Sequence, residues 1–382
     1  MSLDTASANV GATENGGGSR TPRVLGLGSA GVDFIALLES RYPVPDSKVR
    51  AQSLEVMGGG NCGNTLVALS RLGLDAAMIT KVGSDTNGRL ILDEFRSEGV
   101  DVSRVIVSDA TPSAFTYIIV DQEEGTRTCI HTPQTEDTLP EEVTPDLLEG
   151  VSLVHLDSRH TPAAITLARL ANERGIPVVL DAEKDRPFFR ELLPLADYLI
   201  CNRGFPQTFT GRSSREEAME ELLLLGRAKA VVSTLGAEGC IVLYREGSPP
   251  WKGFKDLHVP PSCSVRVREE ELHQGPAEVQ DDCSISSLLH STPSAVRVVR
   301  SSSWAVDPSS IVDTTGAGDA FIAAFICGVV HRLGLGRLVA LASLVAARKL
   351  SKAGARAGVL KWEQIVAEYP ELEVNWTVHH TS

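Results

Sequence analysis

The β-type runs "SLVHLD", "IPVVLDAE", "ADYLICN" and "AKAVVSTLG" follow one another through the middle of the chain, with "AAITLARLANERG" and other helix-type runs between them. Strands that are apolar throughout, separated by helices of about 10–15 residues, imply a parallel sheet covered on both faces. The same rhythm starts earlier. "RVLGLG" (23–28) reads as a strand, and "NTLVALSRLG" (64–73) as a helix with Leu66, Leu69 and Leu72 on one face and a stop at Gly73. "DAAMITKVG" (75–83) reads as a strand and "NGRLILDEFRSEG" (87–99) as a helix. Two alternating runs, "SAFTYIIVD" (113–121) and "GTRTCIHT" (125–132), break the rhythm and predict an antiparallel hairpin. Together with "SKVRAQSLEVM" (47–57) they are expected outside the main sheet, as a lid drawn from about 33–57 and 112–132. The fold class is therefore α/β: three layers, α/β/α, with a mostly parallel central sheet and a small β lid.

Composition narrows the function classes. A net charge of -13 and the lack of any Lys/Arg run of five disfavour nucleic acid or an anionic membrane as partner. Seven cysteines without a C-x-x-C suit a reducing compartment and exclude a zinc ribbon. No apolar run approaches the ~18 residues of a membrane span. Residues 1–22 carry acids and no apolar core, and read as a disordered leader rather than a targeting peptide. A cytoplasmic protein is expected. Residues 23–369 form the main domain and 370–382 a tail. The stretch 247–303, rich in Ser, Pro and charge, reads as a largely disordered, dispensable insertion, with a small extra domain as the alternative.

The chemistry concentrates in "DTTGAGDAFIAAF" (313–325), where glycines precede an apolar helix. Helix N-termini carry unpartnered amides and a positive dipole end, so they attract anions. Gly316 and Gly318 would let an oxyanion lie against those amides, with Asp319 beside it. A carboxylate facing a phosphate makes sense when it takes a proton from the group that attacks the phosphate, as in phosphoryl transfer to an alcohol. A Gly-rich turn with an Asp cap is the plainer alternative. In "MGGGNCGNTLVALSRLG" (57–73) glycines again open a helix, with Asn61 and Asn64 on its first turn. Asn donates and accepts, which suits the neighbouring hydroxyls of a polyol; an Asn-capped helix is the alternative. "GLGSAG" (26–31) matches a dinucleotide fingerprint, but Pro43 and Pro45 follow and no acidic strand end stands at the expected spacing. No P-loop motif occurs. "HLDSRH" (155–160) more readily makes local hydrogen bonds than a metal site, and His379 and His380 lie in the tail.

Together, "GGGNCGN…ALSRLG" and the downstream "DTTGAGDAF" resemble the two signatures of the ribokinase-like (PfkB-type) carbohydrate kinases. The likeness covers about 23–245 and 305–360, and "YPVPDSKVR", "GTRTCIH" and "DAEKDRP" bring it closest to the ketohexokinase branch. It implies ATP-dependent phosphorylation of a sugar hydroxymethyl group, with a fructose-like ketose favoured. By resemblance Asp319 is the catalytic base, and Gly316, Ala317 and Gly318 form the anion hole. Asp33, Asp46, Asn61 and Asn64 contact sugar hydroxyls, and Arg127 lies near substrate and phosphate. In "STLGAEG" (233–239), Thr234, Gly236 and Gly239 surround ATP, and Gly354 stands at the adenine side. Asp313 and Thr315 fall where some members bind K⁺. Two departures stand out: Asn61 replaces a lysine often found after the paired glycines, and Phe205 replaces the Glu of an Asn-x-x-Glu motif that organises Mg²⁺. Mg²⁺ is still expected, because ATP phosphates require it. A nucleoside kinase of the same fold and a non-catalytic, kinase-like assembly protein are the alternatives. An aromatic content of 5% argues mildly against a nucleobase platform. Lid strands can also pair edge to edge, so a homodimer is expected.

Overall fold

The computed structural model describes residues 21–39, 42–121, 123, 126–246, 250–271 and 296–372. Its first strands in chain order are β1 (Arg23–Leu27), β2 (Gly31–Leu38), β3 (Ala51–Gly59), β4 (Asp75–Ile79), β5 (Lys81–Gly83), β6 (Ile106–Ser108), β7 (Phe115–Asp121) and β8 (Thr126–Thr132). They continue as β9 (Val151–Leu156), β10 (Val178–Ala182), β11 (Tyr198–Cys201), β12 (Ala230–Thr234), β13 (Cys240–Arg245), β14 (Val267–Glu271) and β15 (Val296–Ser301). The helices are α1 (Asn61–Arg71), α2 (Thr86–Ser97), α3 (Thr161–Glu173), α4 (Phe189–Leu192), α5 (Phe205–Thr210), α6 (Arg215–Leu224), α7 (Ala317–Val330), α8 (Leu335–Lys349) and α9 (Trp362–Glu368).

Among the described residues, nine strands form the main sheet in the order β14–β15–β13–β12–β11–β10–β9–β1–β4. The run from β4 to β12 is parallel, and β13, β15 and β14 continue it antiparallel. Successive residues of a strand point to opposite faces, and the core divides accordingly. Val24, Leu153 and Val179 pack with α1, α7 and α8, whereas Leu25, Val154 and Leu180 pack with α3 and α6. The sheet is thus filled on both sides, which is why its strands read as apolar throughout.

A second sheet, β3–β2–β7–β8, stands over the first. Its register sorts two faces. The row Met57–Asp33–Thr116–His131 turns inward, and the row Val56–Phe34–Tyr117–Ile130 turns outward.

Three expectations need correction. The run 75–83 is not one strand: β5 separates from β4 after Thr80 and pairs with β6 in a small sheet of its own. The stretch 247–303 is not a free insertion. β15 pairs with β13, β14 pairs with β15, and Val298 and Val299 bury on opposite faces of the main sheet. Phe254 is also fully buried, edge-on to Tyr244 and Trp251. Charged residues at the sheet margin conceal this from a composition argument; Arg300, for example, pairs with Glu216 and Glu270. Finally, Leu372 is fully buried, so the fold continues past 370. Most of the leader (1–20), residues 272–295 and the tail from 373, with His379 and His380, lie outside the described residues.

Candidate active site

The C-terminal ends of the parallel strands, the inner face of the second sheet and the first turns of α1 and α7 line a cavity of about 830 Å³. Gly316 caps α7 at φ 76°, a backbone region that penalises side chains, and a Cβ there would stand 2.5 Å from the Ala355 carbonyl oxygen. A Cβ on Gly318 would meet nothing within 4 Å. Among the described residues the amides of Gly318 and Asp319 find no acceptor, so α7 presents an open N-terminus to the cavity.

Asp319 is buried in that first turn. Asn64 Nδ2 donates to its Oδ2 at 2.8 Å, and Asn64 Oδ1 accepts from Arg356 Nε at 2.9 Å. Arg356 is itself held by the Gly59 carbonyl (3.0 Å), by Glu94 (2.9 Å) and over the Phe95 ring. Burial pushes the Asp319 carboxyl up to about 7, aided by the charges of Glu183 and Asp157 and opposed by Asn64 and Arg356. That value suits a proton acceptor working near neutrality. Asp181, raised well above the usual range by burial and by Asp319, accepts from Asn61 Nδ2 at 3.1 Å, and Glu183 accepts from the same amide at 3.3 Å. Burial also raises Asp33, against a hydrogen bond from Thr116.

At α1 the arrangement is closed. Asp157 accepts from the Cys62 amide (3.3 Å) and from the amide (2.8 Å) and hydroxyl (2.6 Å) of Ser29. A Cβ on Gly28 would lie 2.6 Å from the Asp157 carboxyl carbon, so the middle glycine of "GLGSAG" makes room for this carboxylate. A strand, β2, follows that motif rather than the helix a dinucleotide site requires.

Asp33, Asn61, Asn64, Arg127, Thr234, Thr315, Gly316, Gly318 and Asp319 all line the cavity. Asp46 does not: it sits in an exposed turn at φ 63°. Ala317 starts α7 without facing the cavity. Gly236, at φ 61°, and Gly239 shape the β12–β13 turn, where a Cβ on Gly239 would lie 1.9 Å from the Ser301 carbonyl oxygen. The Gly354 amide donates to Asp313 Oδ2 at 2.8 Å. Asp313 Oδ1 accepts from the amide (2.9 Å) and hydroxyl (2.7 Å) of Thr315 and pairs with Arg127 (3.1 Å). Phe205, which stands in place of the metal-organising Glu of the family motif, is a core residue packed on Phe189 and Phe209. Sequence reasoning missed Asp157, Asp181, Glu183, Arg356 and the cavity-lining Phe115. The three acids were findable, since they stand at the C-terminal ends of parallel strands, where open α/β sheets bind ligands.

The model of the "pfkB family carbohydrate kinase" matches residues 21–260 and 296–362. The chain belongs to this family. An ATP-dependent ribose-1-phosphate kinase of Halopiger xanaduensis is 33% identical over 183 residues, 47% of this chain and 61% of that protein, so the match falls short of that relative's full length. A ribokinase of Lactococcus lactis is 24% identical over 91% of this chain and 97% of its own. Among solved structures, Arabidopsis thaliana ribokinase complexed with ribose and ATP superposes with a TM-score of 0.69 at 19% identity, covering 93% of this chain and all of that one. At that identity the likeness speaks for the fold. Among the described residues, no helix is long and apolar enough to cross a membrane.

Proposed function

We propose that this family member transfers the γ-phosphoryl group of ATP to a hydroxymethyl group of a sugar, with Asp319 as general base. The observation that carries this reading is a buried carboxyl, raised to about 7, in the same helical turn as open backbone amides. Asn64 holds Oδ2, which leaves Oδ1 to accept the hydroxyl proton while the alkoxide oxygen bonds to phosphorus and ADP departs. The amides of Gly318 and Asp319 then face the charge that develops on the transferred group. Asp33 and Asn61 Oδ1 supply acceptors for sugar hydroxyls, Arg127 a cation for phosphate, and Thr234 a hydroxyl on the nucleotide side. The loops shaped by Gly236, Gly239 and Gly354 would surround the nucleotide. ATP would bring Mg²⁺, and Asp181 and Glu183, which line the cavity, would offer carboxylate oxygens to it or to its waters.

A second acceptor class has its own observation. Arg159, Lys184 and Arg186 line the cavity around His131, whose pKa is lowered first by burial and then by these three charges, and among the described residues none of the three forms an ion pair with a carboxylate. Such a rim suits an acceptor that already bears a phosphate, like the substrate named for the Halopiger relative. The ribokinase names among the relatives favour a pentose over a fructose-like ketose, and a nucleoside is the same-fold alternative. A homodimer through the outer lid row also belongs to this reading, because Val56, Tyr117 and Ile130 are 48%, 42% and 52% exposed. The test is ADP release by purified protein over ribose, fructose, inosine and ribose 1-phosphate. ADP release with none of them would overturn the reading.

A further inference from the structure

Lys349 ends α8, and its side chain is fully buried. A buried ammonium is costly unless its donors find acceptors. Here Nζ donates to the main-chain carbonyl oxygens of Asp313 (2.8 Å) and Lys352 (3.2 Å), and Asp313 Oδ2 lies 3.9 Å away. The C-terminal end of α8 adds its own negative partial charge. Carbonyl oxygens with a nearby carboxylate are what a monovalent metal cation takes as ligands. The residues at Asp313 therefore do not fit the K⁺ that the family likeness implies, because an ammonium already holds those oxygens. The rest of Asp313 is engaged as well, by Thr315, Arg127 and Gly354.

The place of this cation matters. The amides of Val312 and Asp313 both donate to the Leu350 carbonyl, and Gly316 lies against Ala355. The segment that presents the anion hole is thus laid along the turn after α8, and Lys349 sits in the seam. We infer that Lys349 is a built-in cation: its ammonium ties Asp313 to the 349–354 turn and holds Gly316–Asp319 ready for phosphate without a soluble monovalent ion. Lys349 does not line the cavity, so it is a positioning residue. The inference rests on the anion-hole reading above.

The experiment compares the full chain and Lys349→Met in potassium chloride and in tetramethylammonium chloride, reading initial rates and melting temperature. The wild type is expected to have the same rate and melting temperature in both salts. Lys349→Met is expected to lose about 10²-fold in turnover in tetramethylammonium, the scale of a misplaced reacting group, and to regain part of it in potassium. Its melting temperature should rise with potassium, while that of the wild type does not. A wild type that potassium activates several-fold would overturn the inference. So would a folded Lys349→Met that matches the wild type, or one that is slow and indifferent to potassium. If the variant folds in neither salt, the wild-type salt response decides. If no acceptor is phosphorylated at all, the kinase reading falls, and the melting temperatures still decide Lys349.

Discussion

Two helices open onto the cavity with nearly the same signal, and they use it in opposite ways. Both α1 and α7 follow a glycine at positive φ, Gly60 at 89° and Gly316 at 76°, and neither has a side-chain cap. At α1 the protein supplies its own anion. Asp157 takes the Cys62 amide, Ser29 takes the Gly63 amide, and a Cβ on Gly60 would lie 2.7 Å from the Ser29 carbonyl oxygen. At α7, among the described residues, nothing takes the corresponding amides, and a Cβ on Gly318 would meet no atom within 4 Å. A glycine-rich helix start is thus a structural joint when its amides are satisfied from within and a ligand site when they are not. Packed side by side, the two starts divide the labour: α1 supplies the Asn64 that orients Asp319, and α7 supplies the acid and the open amides.

The sharpest way to break this contrast is Asp319→Asn. The variant keeps shape and can still accept from Asn64, so turnover should fall about 10²–10⁴-fold while ATP binds as before. A plain capped turn predicts the reverse, because Asn caps as well as Asp; a folded Asn variant with near wild-type turnover would remove the base. Next comes a pair of glycines. Gly318→Val should lower ATP affinity and turnover together by blocking the open amides, with little change in melting temperature. Gly63→Ala should instead cost about 1–3 kcal/mol of stability, because its Cβ would press on the Phe95 ring at 2.9 Å and on Arg356 Nη2 at 3.1 Å. Urea titration and ATP binding on both variants test the assignment, and swapped outcomes would overturn it.

The pH dependence is the third probe. Asp319 works deprotonated, so kcat/KM should rise with pH and level off above about 7. Stability runs the other way. The folded carboxyl titrates above its ordinary value of 3.8, so between 3.8 and about 7 the folded state holds the extra proton and stability falls as pH rises. Asp319→Asn removes that loss, so its melting temperature should gain on the wild type from pH 5 to pH 8. A constant difference would place the Asp319 titration elsewhere. The smallest effect belongs to α1: Asp157→Asn should cost about 1–2 kcal/mol by urea titration, since an amide cannot accept from all the donors that converge there. A larger loss of turnover than of stability would make Asp157 part of the chemistry rather than the joint.

The stretch 247–303 marks the limit of reading by composition. "VRVVRS" carries the alternation of β15, yet its flanking Ser, Pro and charges outweighed six residues of pattern. β15 is an inner strand between β13 and β14, and its Arg297 and Arg300 pair with acids, so charge interrupts in the sequence a pattern whose valines are buried. The lid was easier, since hairpin alternation is local: residues 127, 129 and 131 of β8 share the inward face by period alone. Asp46 was misplaced because a likeness to a family assigns a role to a residue without saying where one chain's turn will carry it.

Local pattern by itself determined the parallel α/β frame, the lid hairpin and the loop–helix that carries Asp319. These rest on periodicity and on glycine's backbone freedom, both encoded within about a dozen residues. Only the tertiary structure decided which of two glycine-rich helix starts stays open, that Arg356 supports Asn64 across 292 residues of chain, and that Lys349 fills the seam behind Asp313. Those outcomes depend on which partner arrives from a distant segment to satisfy a buried polar group. No spacing along the chain records that arrival.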